Sequence, residues 1–206
     1  MTDRCGLLVV IAGPSGVGKG TVHTRVREAL PDSCLSVSVT TRAPRPEEAD
    51  GVHYRFVDDA TFDAMIADGE LLEWARYAGQ RYGTPRGPVE AAVAEGKVVV
   101  LDIELQGALQ VKAQDRHALL VLLVPPSFEE LERRLRARGT EDPVAVRQRL
   151  DRAREELASA DRFDVEVVND DLDACVAQVL ETIDRARCTD RGPDREPDRE
   201  PDRGTR

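Results

Sequence analysis

Three short runs of the chain, 7–12, 98–103 and 119–124, are almost wholly apolar and rich in Val, Ile and Leu. Runs of this length without polar alternation predict strands covered on both faces, as in a parallel sheet. Each is followed by a stretch in which apolar residues recur three and four apart, at 19–30, 105–113 and 128–138, predicting amphipathic helices. Strands alternating with helices imply right-handed crossovers and an α/β fold with a doubly wound sheet. A further strand is predicted over 163–168 and a closing helix over 172–187, where Leu172, Val176, Val179, Leu180 and Ile183 share one face.

Between 34 and 87 the pattern changes. Short strand-like pieces at 35–39, 52–57 and 71–77 and one helix near 61–67 are separated by turn residues, predicting a small mixed lobe inserted into the sheet. From 133 to 155 the chain carries Arg133, Arg134, Arg136, Arg138, Arg147, Arg149, Arg152 and Arg154, interrupted by Gly139, Thr140 and Pro143. Two arginine-rich helices joined by a hinge are expected there. The organisation is then one domain over 1–188, with its core at about 5–33, 88–132 and 156–188, and a tail over 189–206. In the tail Pro193-Asp194-Arg195-Glu196 recurs as Pro197-Asp198-Arg199-Glu200, and no apolar residue follows Cys188. Such a segment buries nothing to offset the entropy of ordering, so it is expected to be disordered.

The 206 residues carry 39 Asp and Glu against 29 Lys and Arg, a net charge of −10. That balance argues against a general hold on a nucleic-acid backbone and leaves a local basic pocket as the place for an anionic ligand. The apolar runs fall far short of the roughly 18–20 residues that a membrane-spanning helix needs. Met1-Thr2-Asp3-Arg4-Cys5 leads into the first strand without a cleavage-site pattern, so a cytoplasmic protein with no membrane or nucleic-acid partner is expected. Cys5, Cys34, Cys175 and Cys188 form no C-x-x-C pair, and His23, His53 and His117 have no metal-ligand spacing; they read as packing or surface residues. The oligomeric state stays open, a homo-oligomer included.

Gly13-Pro14-Ser15-Gly16-Val17-Gly18-Lys19 lies between the first strand and the first helix, the context in which a G-x-x-x-x-G-K loop binds phosphate. Glycines let successive amides turn toward phosphate oxygens, and the helix start and the Lys19 ammonium add positive potential. A nucleoside triphosphate is the expected ligand. The Ser/Thr that usually follows the lysine is Gly20 here, and the hydroxyl comes one residue later as Thr21. A side chain at position 20 therefore cannot ligate magnesium, which is expected to be held largely through water and phosphates.

Further motifs follow in order: Ser36-Val37-Ser38-Val39-Thr40-Thr41-Arg42-Ala43-Pro44-Arg45, Gly51-Val52-His53-Tyr54-Arg55-Phe56, Glu73-Trp74, Tyr82-Gly83-Thr84, Leu101-Asp102-Ile103-Glu104-Leu105-Gln106-Gly107 and Arg138-Gly139-Thr140. Together with the glycine-rich loop, these make the chain resemble the guanylate kinase family from about residue 7 to 187. The resemblance implies a P-loop NTPase-type core, a GMP-binding lobe over 34–87 and a helical lid over 133–155. It also implies transfer of the γ-phosphoryl group of ATP, with Mg²⁺, to GMP and to dGMP, giving ADP and the guanosine diphosphate in purine nucleotide metabolism.

Residue roles follow from the same resemblance. The ATP site takes in Gly13, Pro14, Ser15, Gly16, Val17, Gly18, Lys19, Gly20 and Thr21, with Asn169 at the adenine pocket. Arg42, Arg45, Tyr54 and Tyr82 match the groups that hold the GMP phosphate, for which rigid guanidinium forks are suited. Glu73 accepts from the guanine N1–H and N2 amine, while the hydroxyls of Ser38 and Thr84 donate to O6 or nearby atoms. Adenine would leave the Glu73 charge unpaired, a mismatch that costs factors on the order of 10⁴ in sites built to hydrogen-bond. Asp102 and Glu104 match an acidic pair near the metal and the guanosine, Asp102 reaching the metal through water. Arg134, Arg138 and Arg149 match lid arginines that join Lys19 and Arg42 around the transferring group. Two other readings are a non-catalytic scaffold module, against which the intact Lys19 and the lid arginines argue, and a different phosphoryl acceptor, against which Glu73, Ser38 and Thr84 argue.

Overall fold

In chain order the elements are β1 (Leu7–Ala12), α1 (Lys19–Ala29), β2 (Ser33–Cys34), β3 (Val39–Thr40), β4 (Arg55–Phe56), α2 (Asp59–Ala67), β5 (Leu71–Tyr77), β6 (Gln80–Pro85), α3 (Arg86–Ala94), β7 (Val98–Asp102), α4 (Leu105–Gln114), β8 (Leu119–Val124), α5 (Phe128–Ala137), α6 (Pro143–Leu157), β9 (Val165–Val168) and α7 (Leu172–Thr189). The structure, a computed structural model, describes residues 5–77, 79–137 and 143–189. The expected disorder of the tail beyond 189, and Arg138, lie outside the described residues.

Five strands form a parallel sheet in the order β2-β7-β1-β8-β9. The unbroken apolar runs make sense once strand alternation is applied to them. Leu7, Val9 and Ile11 of β1 enter one core with Val22 and Val26 of α1 and Val179 and Ile183 of α7. Leu8, Val10 and Ala12 enter the opposite core with Val89 of α3 and Ala108 and Val111 of α4. Each of the Val, Leu and Ile side chains contributes roughly 1.5–3 kcal/mol on leaving water, which fixes β1 in the middle and brings its carboxyl end beside that of β7, with Ile11 opposite Asp102.

A second, four-stranded sheet has the order β4-β3-β6-β5 and packs Val39 and Leu71 against Phe62 and Met65 of α2. The expected strand at 35–39 is corrected here. Ser33–Cys34 pairs with β7 in the main sheet, Val39–Thr40 pairs in the lobe, and the link between them passes from one sheet to the other with Leu35 exposed. The strand expected over 52–57 shortens to β4, because the chain at Gly51 (φ 73°) turns back and Gly51 donates to the Tyr54 carbonyl. Helix α2 begins two residues earlier than expected, capped by the Asp58 carboxylate accepting from the Thr61 amide at 2.7 Å. The pattern assigned nothing to β6 or α3. Gly87 and Pro88 lie in the first turn of α3, where proline's missing N–H is tolerated. The last strand starts at Val165 rather than 163, since the Asp164 carboxylate takes the Leu120 amide at 2.8 Å.

Helix α4 joins the two sheets. The Gln110 side chain accepts from the Trp74 amide (3.1 Å) and donates to the Trp74 carbonyl (2.9 Å), and Gln114 donates to the Leu72 carbonyl (2.7 Å). β5, the outer strand of the lobe sheet, is thereby fastened to a helix of the main core.

Candidate active site

The loop after β1 owes its shape to backbone that only glycine adopts readily. Gly16 and Gly18 have φ of 92° and 96°, and Gly18 stands immediately before α1. A Cβ on Gly18 would lie 2.6 Å from the side-chain Nδ2 of Asn169. The Val17 side chain is fully buried and anchors the loop from below. The first amides of α1 and the helix dipole are left facing a cleft of about 330 Å³. Lys19 reaches back across this cleft, with Nζ 3.4 Å from the Gly13 carbonyl and 3.5 Å from Asp102 Oδ1.

Helix α6 supplies the opposite wall. Its apolar residues Val146, Leu150 and Ala153 lie against Leu131 and Leu135 of α5, so Arg149, Arg152 and Glu156 come to line the cleft. Arg149 donates to Ser15 Oγ at 2.7 Å. Arg152 bonds Glu104, the residue before α4, and lies 3.4 Å from Glu156. Burial, and then the negative charge of Glu104, push the Glu156 carboxyl above the usual carboxylate range; Lys19 and Arg152 pull the other way. Arg134 and Asn169 both contact the loop. Asn169 is buried and donates to the Val17 carbonyl at 2.7 Å. Arg134 donates to the Asn169 carbonyl at 2.9 Å and to Glu130 at 2.7 Å. Both side chains thereby fix the loop at Val17.

In the lobe, the Arg42 guanidinium donates to Glu48 at 2.7 Å and lies 5.4 Å from the Tyr54 ring centre and 5.8 Å from that of Phe56. Tyr54 and Tyr82 face each other edge to face with centres 6.0 Å apart. The other Glu48 oxygen accepts from the Arg45 amide at 2.8 Å. The Arg42 guanidinium and then the Arg45 amide hold the Glu48 carboxyl down at about 2. Ser38 lies one residue before β3, where its carbonyl accepts from the Arg55 amide.

Glu73 is buried in β5 and stands directly opposite Thr84 of β6. That register explains why the Thr84 hydroxyl donates to Glu73 Oε1 at 2.6 Å. Burial pushes the Glu73 carboxyl above its ordinary range, with Thr84 opposing the shift. The cleft and the lobe meet at Tyr77, the last residue of the strand that carries Glu73, which lines the cleft beside the loop.

Tyr77, Arg152 and Glu156 line the cleft and Glu48 bonds Arg42 and Arg45, though no motif in the sequence marks any of the four. Arg149, Arg152 and Glu156 are spaced three and four apart, one stripe of a helix, and that spacing was the available signal. Glu48 lies three residues after Arg45 and had no comparable mark.

The residues present suit magnesium brought in with a nucleotide. Among the described residues no group of three or more His, Cys, Asp or Glu is arranged to hold a metal. Magnesium commonly keeps several waters and takes one or two carboxylates with substrate phosphates. Asp102, exposed at the end of β7 beside Lys19, supplies such a carboxylate.

The chain matches the family described as guanylate kinase over residues 6–186. A guanylate kinase of Thermobifida fusca (strain YX) is 57% identical over 167 residues, covering 81% of this chain and 85% of the relative. One of Nocardia farcinica (strain IFM 10152) is 54% identical over 179 residues, 86% and 93% of the two chains. The crystal structure of guanylate kinase from Anaplasma phagocytophilum superposes with a TM-score of 0.70 at 31% identity, covering 91% of this chain and 89% of that one. With the family model matched over nearly all of the described chain, relatives above 50% identical along most of their own length and a parallel sheet that superposes on a solved member, this chain belongs to the guanylate kinase family and is a phosphotransferase.

Proposed function

We propose that this kinase transfers the γ-phosphoryl group of ATP to GMP, and also to dGMP, with residues 34–87 as the acceptor lobe and 133–155 as the lid over the core. Phosphoryl transfer needs alignment and charge neutralisation more than covalent help. The triphosphate sits against the amides of the Gly13 to Lys19 loop, with Lys19 beside its γ-phosphate. Asp102 would hold, through water, a magnesium ion brought with the nucleotide, which when bound would supply neutralising charge at the phosphates. Arg42, Arg45 and the phenols of Tyr54 and Tyr82 take the GMP phosphate. One oxygen of that phosphate forms the new bond to the γ-phosphorus as the bond from that phosphorus to the ADP oxygen breaks. ADP departs with the electron pair, and no proton has to move.

Arg149, held at the loop by Ser15, faces the charge on the transferring group; Arg138 joins it by resemblance alone. Arg134 and Asn169 act by bracing the loop. Glu73, held by Thr84, accepts from the guanine N1–H and N2 amine, and Ser38 completes the base site. On this reading the protein acts in the cytoplasm on small nucleotides rather than on nucleic acid or at a membrane.

The observation that carries this reading is the meeting of three segments at one cleft: the glycine-rich loop, Arg149 of α6, and Tyr77 at the end of the strand bearing Glu73. It is tested by following ADP release from ATP and magnesium with GMP, dGMP, AMP, CMP and UMP as acceptors. Turnover at least about 10²-fold more efficient with the guanine nucleotides is expected from a site with a fixed carboxylate acceptor. Equal turnover with AMP, or none with any acceptor, overturns it.

A further inference from the structure

Gly107 lies in the first turn of α4 and is buried. Its backbone is ordinary helix, with none of the positive φ values that require glycine elsewhere in the chain. Alanine would be favoured there by about 1 kcal/mol of helix propensity, so conformation does not explain the residue. Its surroundings do. A Cβ built on Gly107 would lie 2.6 Å from Glu73 Oε2 and 3.2 Å from Glu73 Cδ, with Ile103 Cδ1 also at 3.2 Å. The nearest atom is a carboxylate oxygen of a buried side chain whose other oxygen is already fixed by Thr84 at 2.6 Å. Three residues further along the same helix, Gln110 binds both the amide and the carbonyl of Trp74, so the strand carrying Glu73 cannot slide away from the helix to make room.

We infer that Gly107 is a specificity-determining residue that acts through Glu73: the missing side chain is the space in which the base-reading carboxylate is held. This rests on the reading of Glu73 as the guanine acceptor. A methyl group at 107 pushes the carboxylate toward the space the base must occupy. It turns the two oxygens away from a common plane with N1–H and the N2 amine. Gly107 is thus a positioning residue, and its effect falls on base selection rather than on the transfer step.

The test is Gly107→Ala, Glu73→Ala and the double variant, each assayed with GMP and AMP and melted without ligand. Gly107→Ala is expected to lower kcat/KM for GMP by about 10²-fold, the scale of a misplacement near 1 Å. The loss should appear chiefly in KM, with KM for ATP and turnover of AMP within about threefold, and a melting temperature unchanged or raised as helix propensity dictates. In the Glu73→Ala background the same substitution should cost nothing further, which is the signature of two residues acting as one. A fall in melting temperature with parallel losses toward ATP and GMP would show a merely structural glycine and overturn the inference, as would full additivity in the double variant. If Glu73→Ala alone leaves the GMP-to-AMP ratio unchanged, the guanine-acceptor reading fails. If Glu73→Ala shifts the ratio and Gly107→Ala does not, only the inference about Gly107 fails.

Discussion

The loop that follows β1 and the arginine cluster of the inserted lobe both present positive charge to an anion, yet they are assembled from different materials. At the loop, the groups are main-chain amides aimed by Gly16 and Gly18 and by a buried Val17, with Lys19 the principal side chain involved. In the lobe, the groups are on the side chains of Arg42 and Arg45, and a resident carboxylate, Glu48, already engages the guanidinium of one and the amide of the other. A main-chain site exists as soon as the strand and helix that frame it are folded, whatever the ligand. A side-chain site must have its long, entropically costly arms arranged, and here an internal anion arranges that of Arg42. Changes of backbone shape should therefore damage the first site, and changes of charge the second.

Lys19→Ala gives the largest expected effect, a loss of turnover of about 10³-fold or more on removing a charge from the reacting group. GMP affinity by calorimetry should stay within about threefold; near-normal turnover in a folded variant would merge the two sites into one and sink the comparison. Gly18→Ala comes next. Its positive φ and the 2.6 Å approach to Asn169 predict a stability loss of about 1–3 kcal/mol in thermal melts and a raised KM for ATP, with KM for GMP little changed. Glu48→Gln keeps the shape of the side chain and removes its charge. It should raise KM for GMP about 10-fold, on the scale of one charge-assisted hydrogen bond, and leave KM for ATP alone; equal effects on both substrates would deny the lobe its separate character.

Acid sharpens the contrast more gently. Glu73 must be ionised to accept from guanine, and burial raises its pKa, so KM for GMP should climb as pH falls through that raised value while KM for ATP stays level. Glu73→Gln should remove the bend. Glu48, held at about 2, keeps its charge across this window. The stability that Glu48 lends is present above the ordinary carboxylate pKa and disappears only as pH falls through about 2. The smallest effect belongs to Gly20→Ser. A Cβ there meets nothing within 4 Å, so the melting temperature should hold and KM for ATP should move less than about threefold. A clash-driven loss of stability would show the space beside Lys19 to be closed.

The same difference decides what was legible in the sequence. β1 and β8 were read to the residue and α1, α4 and α7 nearly so, because a strand buried on both faces leaves an unbroken apolar run and each helix a stripe. The glycine loop was equally plain, since glycine positions report backbone shape directly. In the lobe, two-residue strands leave no period to detect, and β6, with Gly83 and Arg81 in it, hid the pairing that sets Thr84 opposite Glu73. Arg134 and Asn169 show the reverse limit. Motif order located both, but where their side chains turn depends on carbonyls of Val17 and Asn169 that are distant in the chain.

The hold of α4 on β5 has a bearing on life in a crowded solution. β5 is the outermost strand of its sheet, and an outer strand with open amides and carbonyls is a template onto which a neighbouring molecule's strand can add, the first step of aggregation. Gln110 and Gln114 occupy that row of groups at Leu72 and Trp74 with side-chain amides, which have the same donors and acceptors as a peptide bond. Two glutamines on a helix thus take the place of a further strand at Leu72 and Trp74, on either side of Glu73.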